Sequence, residues 1–400
     1  MLWHTPYASG YFFAYNITMK LPEPSSEAIA SSTALRRKVA DAITQNGGWI
    51  SFARYMEMAL YEPGLGYYSN DRMMLGRQGD FVTAPEISPL FGQTIAQAII
   101  PFMAQSAFCI LEIGAGSGRL AHDILSELAH QDVTLERYDI LDLSGDLRQK
   151  QRKMLAAFDQ VRWLDNLPEA FTGVILGNEV LDAMPVQLVT KENDAWHELG
   201  VVLSNAHFAF DKKPAENSLV YQIAQQIPDA EALPEHYITE VHARACAFIR
   251  SLVDMQKAGK GSAAIFVDYG YPAREYYLPQ RNRGTLLSYY RHRLHSDPFW
   301  YPGLQDITSH VDFSAIAGAA IENGMDLLCY ASQAAFLMAN GIMDRLSRIS
   351  PEDAARYLPD ARKVNMLLSP AEMGELFKVL IFGNLDLPAY LASIDRSERL

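Results

Sequence analysis

The chain has 400 residues, a formal net charge of −13, and 49% hydrophobic against 20% charged residues. That is ordinary globular composition, long enough to bury a large core without staples, and length alone suggests roughly two to three domains of about 150 residues. The acidic balance excludes a sequence-independent grip on nucleic-acid backbone, which needs clustered Lys and Arg, and mildly favours a basic peptide as partner.

Residues 1–20 are aromatic-rich and nearly uncharged. They lack the basic segment of a signal peptide and the arginines of a transit peptide. We read 1–34 as a poorly ordered tail and linker, its first twenty residues a loose tail or an overlong start ahead of Met19. Residues 35–61 have helical spacing in two pieces, broken at Gly47-Gly48. The stretch 62–89 is punctuated by glycine and proline, and long irregular loops in compact domains tend to be functional. Helical spacing returns over 90–104, so 35–104 reads as an N-terminal helical extension carrying a loop.

From 105 to 400 strands and helices alternate. Strands are predicted at 107–114, 138–144, 161–164, 173–178 and 263–270, with helices at 119–129, 145–158 and 238–257. An inserted β-meander is expected at about 186–235. Loop and helical insertions follow at about 271–324, where 311–324 reads as a helix, and at about 332–370. Strands at 325–331 and 376–382 close the chain. This pattern predicts an α/β protein with a doubly wound, mostly parallel sheet. No run approaches ~18 apolar residues, so no membrane span is expected. Cys109, Cys246 and Cys329 are widely spaced, which excludes a disulfide framework and a thiolate zinc site and fits a reducing compartment. His292, His295 and Asp297 fit no standard ligand spacing, and no metal is expected.

The strongest local signal is Leu111-Glu112-Ile113-Gly114-Ala115-Gly116-Ser117-Gly118, three glycines between a strand and a helix. Glycine permits positive φ and close approach of a ligand, and ligands of doubly wound sheets sit beyond the carboxyl ends of the strands. A dinucleotide fingerprint needs glycine at 119, but that position is Arg119. The G-x-G-x-G spacing, with Glu112 two residues ahead of Gly114, resembles motif I of class I S-adenosylmethionine methyltransferases. In that setting Glu112 faces the methionine amine, while Gly114, Ala115, Gly116 and Gly118 line the cofactor. Asp142, at the end of the second strand, is the expected ribose ligand. Asp165 is a candidate for the adenine amino group. The fourth strand ends in Asn178-Glu179-Val180-Leu181-Asp182, a segment that borders the transferred methyl in such enzymes. Asn178, Glu179 and Asp182 are the catalytic candidates, with one helical turn expected to place Glu179 and Asp182 on the same side. A carboxylate pair can clamp a guanidinium and hold its charge on the far nitrogens. The segment 79–88 reads as a lid with Thr83 and Glu86 facing the cofactor. Ser88 caps the helix that Pro89 begins.

Together these blocks resemble the MidA-like family, whose mitochondrial members are complex I assembly-factor protein arginine methyltransferases. The resemblance is carried by 51–92 (SFARYMEMALYEPGLGYYSNDRMMLGRQGDFVTAPEISPLFG), LEIGAGSGRL, NEVLDAMPV, VDYG, DITSHVDF, QAAFLMANGI and EMGELFKVL, in family order, and covers about residues 35–385. It implies a seven-stranded Rossmann-like methyltransferase core with an N-terminal helical extension and insertions after strands four and five. It also implies S-adenosylmethionine as donor, with S-adenosylhomocysteine as product. The implied activity is protein arginine N-methylation of a respiratory complex I-type subunit. The missing arginine-rich transit peptide favours the bacterial cytoplasm, with the mitochondrial matrix for a eukaryotic source, and both monomer and homodimer stay open. The alternatives are a methyltransferase on a small molecule or another side chain, and a non-catalytic assembly chaperone that keeps the cofactor site.

Overall fold

Apolar runs that end in a glycine or an acid form the central sheet of this computed structural model, which describes residues 21–69, 82–216 and 218–400. In chain order the strands are β1 Cys109–Ile113, β2 Arg137–Leu141, β3 Val161–Leu164, β4 Gly173–Asn178, β5 Ser262–Tyr271, β6 Asp326–Ser332 and β7 Phe377–Gly383. They lie in the order β6-β7-β5-β4-β1-β2-β3, and a two-residue strand at Val311–Asp312 pairs with β5, making eight. The strands from β5 to β3 along this order pair parallel, whereas β7 runs antiparallel to both β5 and β6.

Side chains alternate between the two faces. Ile110, Val174, Ile265 and Val267 face α3 (Pro89–Met103) and α4 (Arg119–His130). Leu111, Ile175, Ala264 and Phe266 face α6 (Ala243–Ala258) and α7 (Phe313–Glu322). Between these pairs, α5 spans Gly145–Met154 after β2. With both faces covered, the central strands β1, β4 and β5 carry no polar alternation.

The N-terminal helices are α1 (Ser26–Gln45) and α2 (Phe52–Tyr61). The stretch read as a linker therefore turns helical at Ser26. Ser25 caps Ala28 N, and Leu35, Val39 and Ile43 form a buried stripe at intervals of four. Its serines and threonines imitate a linker, but the alanines among them favour helix. Residues 1–20 and 70–81, the latter inside the long loop, lie outside the described residues.

The extension and the meander form one layer. Ile50 and Ser51 pair antiparallel with Val201 and Gly200, at the edge of a five-stranded sheet built from the meander strands. Ile238–Val241 belongs to that sheet, so the helix expected from 238 starts only at Ala243. Its Ile, Thr and Val are β-branched and suit a strand. The expected helix at 311–324 likewise gives its first two residues to the strand beside β5. The loop-rich insertion contains a further three-stranded sheet, centred on Leu287–Tyr290.

Candidate active site

β1 and β4 are parallel neighbours, with Ile113 opposite Gly177. The chain leaves β1 toward β2 and leaves β4 toward β5, so the sheet reverses direction between them. Such a switch point opens a crevice at the carboxyl ends. Two turns meet there.

The first turn is the glycine run. Gly114, Gly116 and Gly118 have φ of +66°, +54° and +86°. A side chain is strained in that left-handed region, so the glycines answer a backbone demand. Gly114 N donates to Leu141 O at 2.9 Å, and Gly118 N to Ala115 O at 2.8 Å. Gln151, on α5, braces the turn from below. Its Nε2 donates to Gly116 O at 3.0 Å and to Asp142 Oδ2 at 2.8 Å, while its Oε1 accepts from Trp163 Nε1 at 2.9 Å. Asp142 thus stands beside the glycines with its other oxygen accepting from Ser144 N at 2.9 Å. Burial pushes its pKa up, against the donors that face it. Glu112 lies beneath the turn, 2% exposed, and accepts from Tyr138 OH at 2.9 Å. Burial raises it to about 8.

The second turn follows β4. No helix forms here, contrary to the helical turn expected. Glu179 takes φ of +51°, its N–H donates to Val267 O at 2.9 Å, and the chain bends sharply away. Asp268, near the carboxyl end of β5, is 1% exposed and gathers the next three amides. Its Oδ2 accepts from Val180 N at 3.1 Å, Leu181 N at 2.8 Å and Asp182 N at 3.3 Å. Glu179 keeps a partly exposed edge, and Asn178 Nδ2 donates to its Oε1 at 3.3 Å. Burial, then the neighbouring Asp182 charge, raises Glu179 to about 8. Burial raises Asp182 to about 6 against a hydrogen bond from Tyr269. Burial and the charges of Asp182 and Glu179 also push Asp268 up. Asp182 Oδ1 and Asn178 Oδ1 are buried without a hydrogen-bond partner.

The N-terminal extension reaches both turns. Ser88 accepts from Leu90 N, and Pro89 begins α3. The short helix Ala84–Ile87 just before it starts after Thr83, whose side chain makes no capping bond. Ala84 N donates to Glu179 Oε1 at 3.3 Å, and Ser117 Oγ donates to Glu86 Oε1. Tyr61 and Tyr68 stack at 5.5 Å, with Tyr61 OH donating to Ala183 O and Tyr68 OH to Asp306 Oδ1, each at 2.9 Å. Asp165 is separate from this group: its side chain is 81% exposed and ion-paired with Arg148 at 2.8 Å. Among the described residues no group of three or more His, Cys, Asp or Glu is placed to hold a metal.

A glycine turn after β1, an acid ending β2 and acids after β4 define a Rossmann-like enzyme that binds a nucleotide-type cofactor. The family model for S-adenosyl-L-methionine-dependent methyltransferases matches residues 94–331. A crystal structure of a Burkholderia thailandensis protein bound to S-adenosyl-homocysteine superposes with a TM-score of 0.89, at 48% identity, covering 95% of this chain and 100% of that one. The Caenorhabditis elegans protein arginine methyltransferase NDUFAF7 homolog is 27% identical over 394 residues, 90% of this chain and 88% of that one. The human protein arginine methyltransferase NDUFAF7 is 28% identical over 368 residues, 82% of this chain and 79% of that one. The chain belongs to the MidA-like family of S-adenosylmethionine-dependent methyltransferases.

The residues present fit the cofactor. Three left-handed glycines leave the turn bare of side chains, Asp142 stands beside them, and two buried oxygens of the second turn await partners. Sequence reasoning did not single out Gln151, Tyr138, Ser117 or the three-amide grip of Asp268. No local pattern marks these residues, because each acts on a partner distant in the chain.

Proposed function

We propose that this methyltransferase acts on the guanidinium of an arginine in a protein substrate. The observation that carries the reading is the group Glu179, Asp182 and Asp268. All three are shifted toward the neutral form, and none of the largest influences on them is a lysine or an arginine. Buried carboxyls without a cation are unfavourable when ionised, and an entering cation reverses that. A guanidinium is always charged, and its planar fork matches a carboxylate pair.

S-adenosylmethionine supplies the methyl group on its sulfonium. Glu179 and Asp182 hold the guanidinium charge on its far nitrogens and receive the proton that the methylated nitrogen loses, while Asn178 orients Glu179. Gly114, Ala115, Gly116 and Gly118 line the cofactor, Asp142 holds its ribose hydroxyls, and Glu112 backs its methionine end. Thr83 and Glu86 close over it. Asp165 reaches the adenine once its pair with Arg148 opens. The seven strands from β6 to β3 are the methyltransferase core, interrupted by insertions after β4 and β5. The names of the nematode and human relatives support the arginine acceptor. The family resemblance makes a subunit of respiratory complex I the first protein to test, in the bacterial cytoplasm or, for a eukaryotic source, the mitochondrial matrix.

The test is transfer of labelled methyl from S-adenosylmethionine into lysate of the host lacking the gene. A single labelled protein that yields methylarginine on hydrolysis is the expected result. Absence of protein label, with cofactor binding confirmed by calorimetry, overturns the arginine reading.

A further inference from the structure

The turn that carries Glu179 and Asp182 is not a stable conformation by itself. A non-glycine residue at φ of +51° is strained, and such strain persists only where surrounding contacts over-determine it. The register shows what holds it. Val267 lies opposite Asn178 where β5 and β4 pair, and Glu179 N extends the pairing by donating to Val267 O at 2.9 Å. One residue further along β5 stands Asp268. Its Oδ2 takes the amides of Val180, Leu181 and Asp182 at 3.1, 2.8 and 3.3 Å, and its Oδ1 takes Tyr269 N at 2.9 Å. Successive amides turned toward one point form a concavity that suits an anion. Here the acceptor is a side-chain carboxyl of the next strand.

Resting on the acceptor reading above, we infer that Asp268 is the positioning residue for the acceptor side of the site. Through three consecutive backbone amides it holds the 179–182 turn against β5, and so sets Glu179 and Asp182 beside each other at the cofactor end of the crevice. Asp268 does this through the backbone of the turn alone. Leu181, in the middle of the grip, is fully buried in the core beneath the sheet, which adds an apolar anchor to the polar one. Among the described residues no hydrogen bond joins the glycine turn to Asp268, so cofactor affinity and acceptor geometry separate.

The tests use the full chain with Asp268→Asn and Asp268→Ala. Asparagine keeps an oxygen for the turn, and alanine keeps none. Hydrogen exchange read by mass spectrometry needs no acceptor. In Asp268→Ala, exchange of a peptide covering 178–184 should rise at least ~10-fold, while peptides covering 109–120 and 137–147 stay unchanged, as local opening requires. Asp268→Asn should recover most of that protection. Affinity for S-adenosylhomocysteine should stay within about twofold in both variants. With the labelled acceptor, kcat should fall on the order of 100-fold in Asp268→Ala and about 10-fold in Asp268→Asn at nearly unchanged KM for S-adenosylmethionine, the scale that a small misplacement of reacting groups produces. Unchanged exchange over 178–184 in a folded Asp268→Ala overturns the inference, as does an equal rise over all three peptides. Local exchange as expected, with no arginine labelled by the wild type, retains the grip on the turn and removes the arginine acceptor.

Discussion

At the scale of single residues, Gly116 and Glu179 make opposite predictions. Gly116 sits at φ of +54°, where valine is strongly disfavoured, and its carbonyl is held by Gln151. Gly116→Val should fold and lose S-adenosylhomocysteine binding by at least ~100-fold in calorimetry; normal binding removes this turn from the cofactor site. Glu179→Gln keeps the shape of the second turn and removes the carboxyl's ability to ionise when a cation enters. It should leave cofactor affinity within about twofold and cut transfer on the order of 100-fold, the scale of a lost electrostatic contact to the reacting centre. Glu179 and Glu112 also write themselves into the pH dependence of stability. Both are raised to about 8, so between pH 6.5 and 8 the folded chain keeps protons that the unfolded chain has already released. Stability then falls as pH rises through that window. The buried His242, lowered to about 4, and His310, lowered to about 3, act below pH 6.5 and with the opposite sign. Thermal midpoints at pH 6.5 and pH 8 should differ less in Glu179→Gln and in Glu112→Gln than in the wild type. An identical difference in all three removes these carboxyls as the cause.

At the scale of elements, α5 does more than cover the sheet. Its Gln151, fully buried, joins the glycine turn after β1, the acid ending β2 and the indole of β3. Gln151→Ala leaves the buried Asp142 and two part-buried groups without this partner, at a cost of about 1–3 kcal/mol for an unsatisfied group. A lower urea midpoint and about 10-fold weaker binding of S-adenosylhomocysteine are expected; unchanged binding confines Gln151 to stability. The glycine turn was legible in the sequence because positive φ selects glycine directly. Asp142 was legible because a strand end followed by a helix marks its place. The role of Gln151 was not, since a buried glutamine looks like any polar helix residue until its partners are known. Glu112 and Tyr138 meet across 26 positions for the same reason.

For the whole molecule, the helical segment between β6 and β7 is fastened to α3 and α4 by buried polar grips. Arg345, on the helix Ile342–Leu346, is 4% exposed. It donates to Gln93 O at 3.0 Å and Gln97 Oε1 at 3.1 Å on α3, and lies 3.5 Å from Glu127 on α4. Glu127 also takes a two-pronged contact from Arg348, at 2.8 Å for each prong. Arg345→Ala removes a buried cation from beside Glu127 and unpairs its acceptors on Gln93 and Gln97, and should cost about 3 kcal/mol in urea unfolding, with cofactor affinity unchanged. A loss of affinity instead would place the insertion within the cofactor site's support. The extension is fastened differently, through the strand pairing of Ile50 with Val201 and the bond of Tyr68 to Asp306, 238 residues away.

The sequence by itself determined the α/β class, the glycine turn, the acid at the end of β2 and the family, because local periodicity, backbone demand and chain order leave their marks in residue type. Its reading of the segment after β4 singled out two acids that the structure brings near each other, but gave them a helix. Three apart suggests a helical turn only while the neighbouring strand is unknown. The tertiary structure decided that Asp268 of β5 takes those amides, that the extension shares a sheet with the meander, and that Tyr61 and Tyr68 stand beside the acids. Each of these joins residues 80 or more positions apart, and no local pattern records a contact whose energy is realised only after the chain has closed on itself.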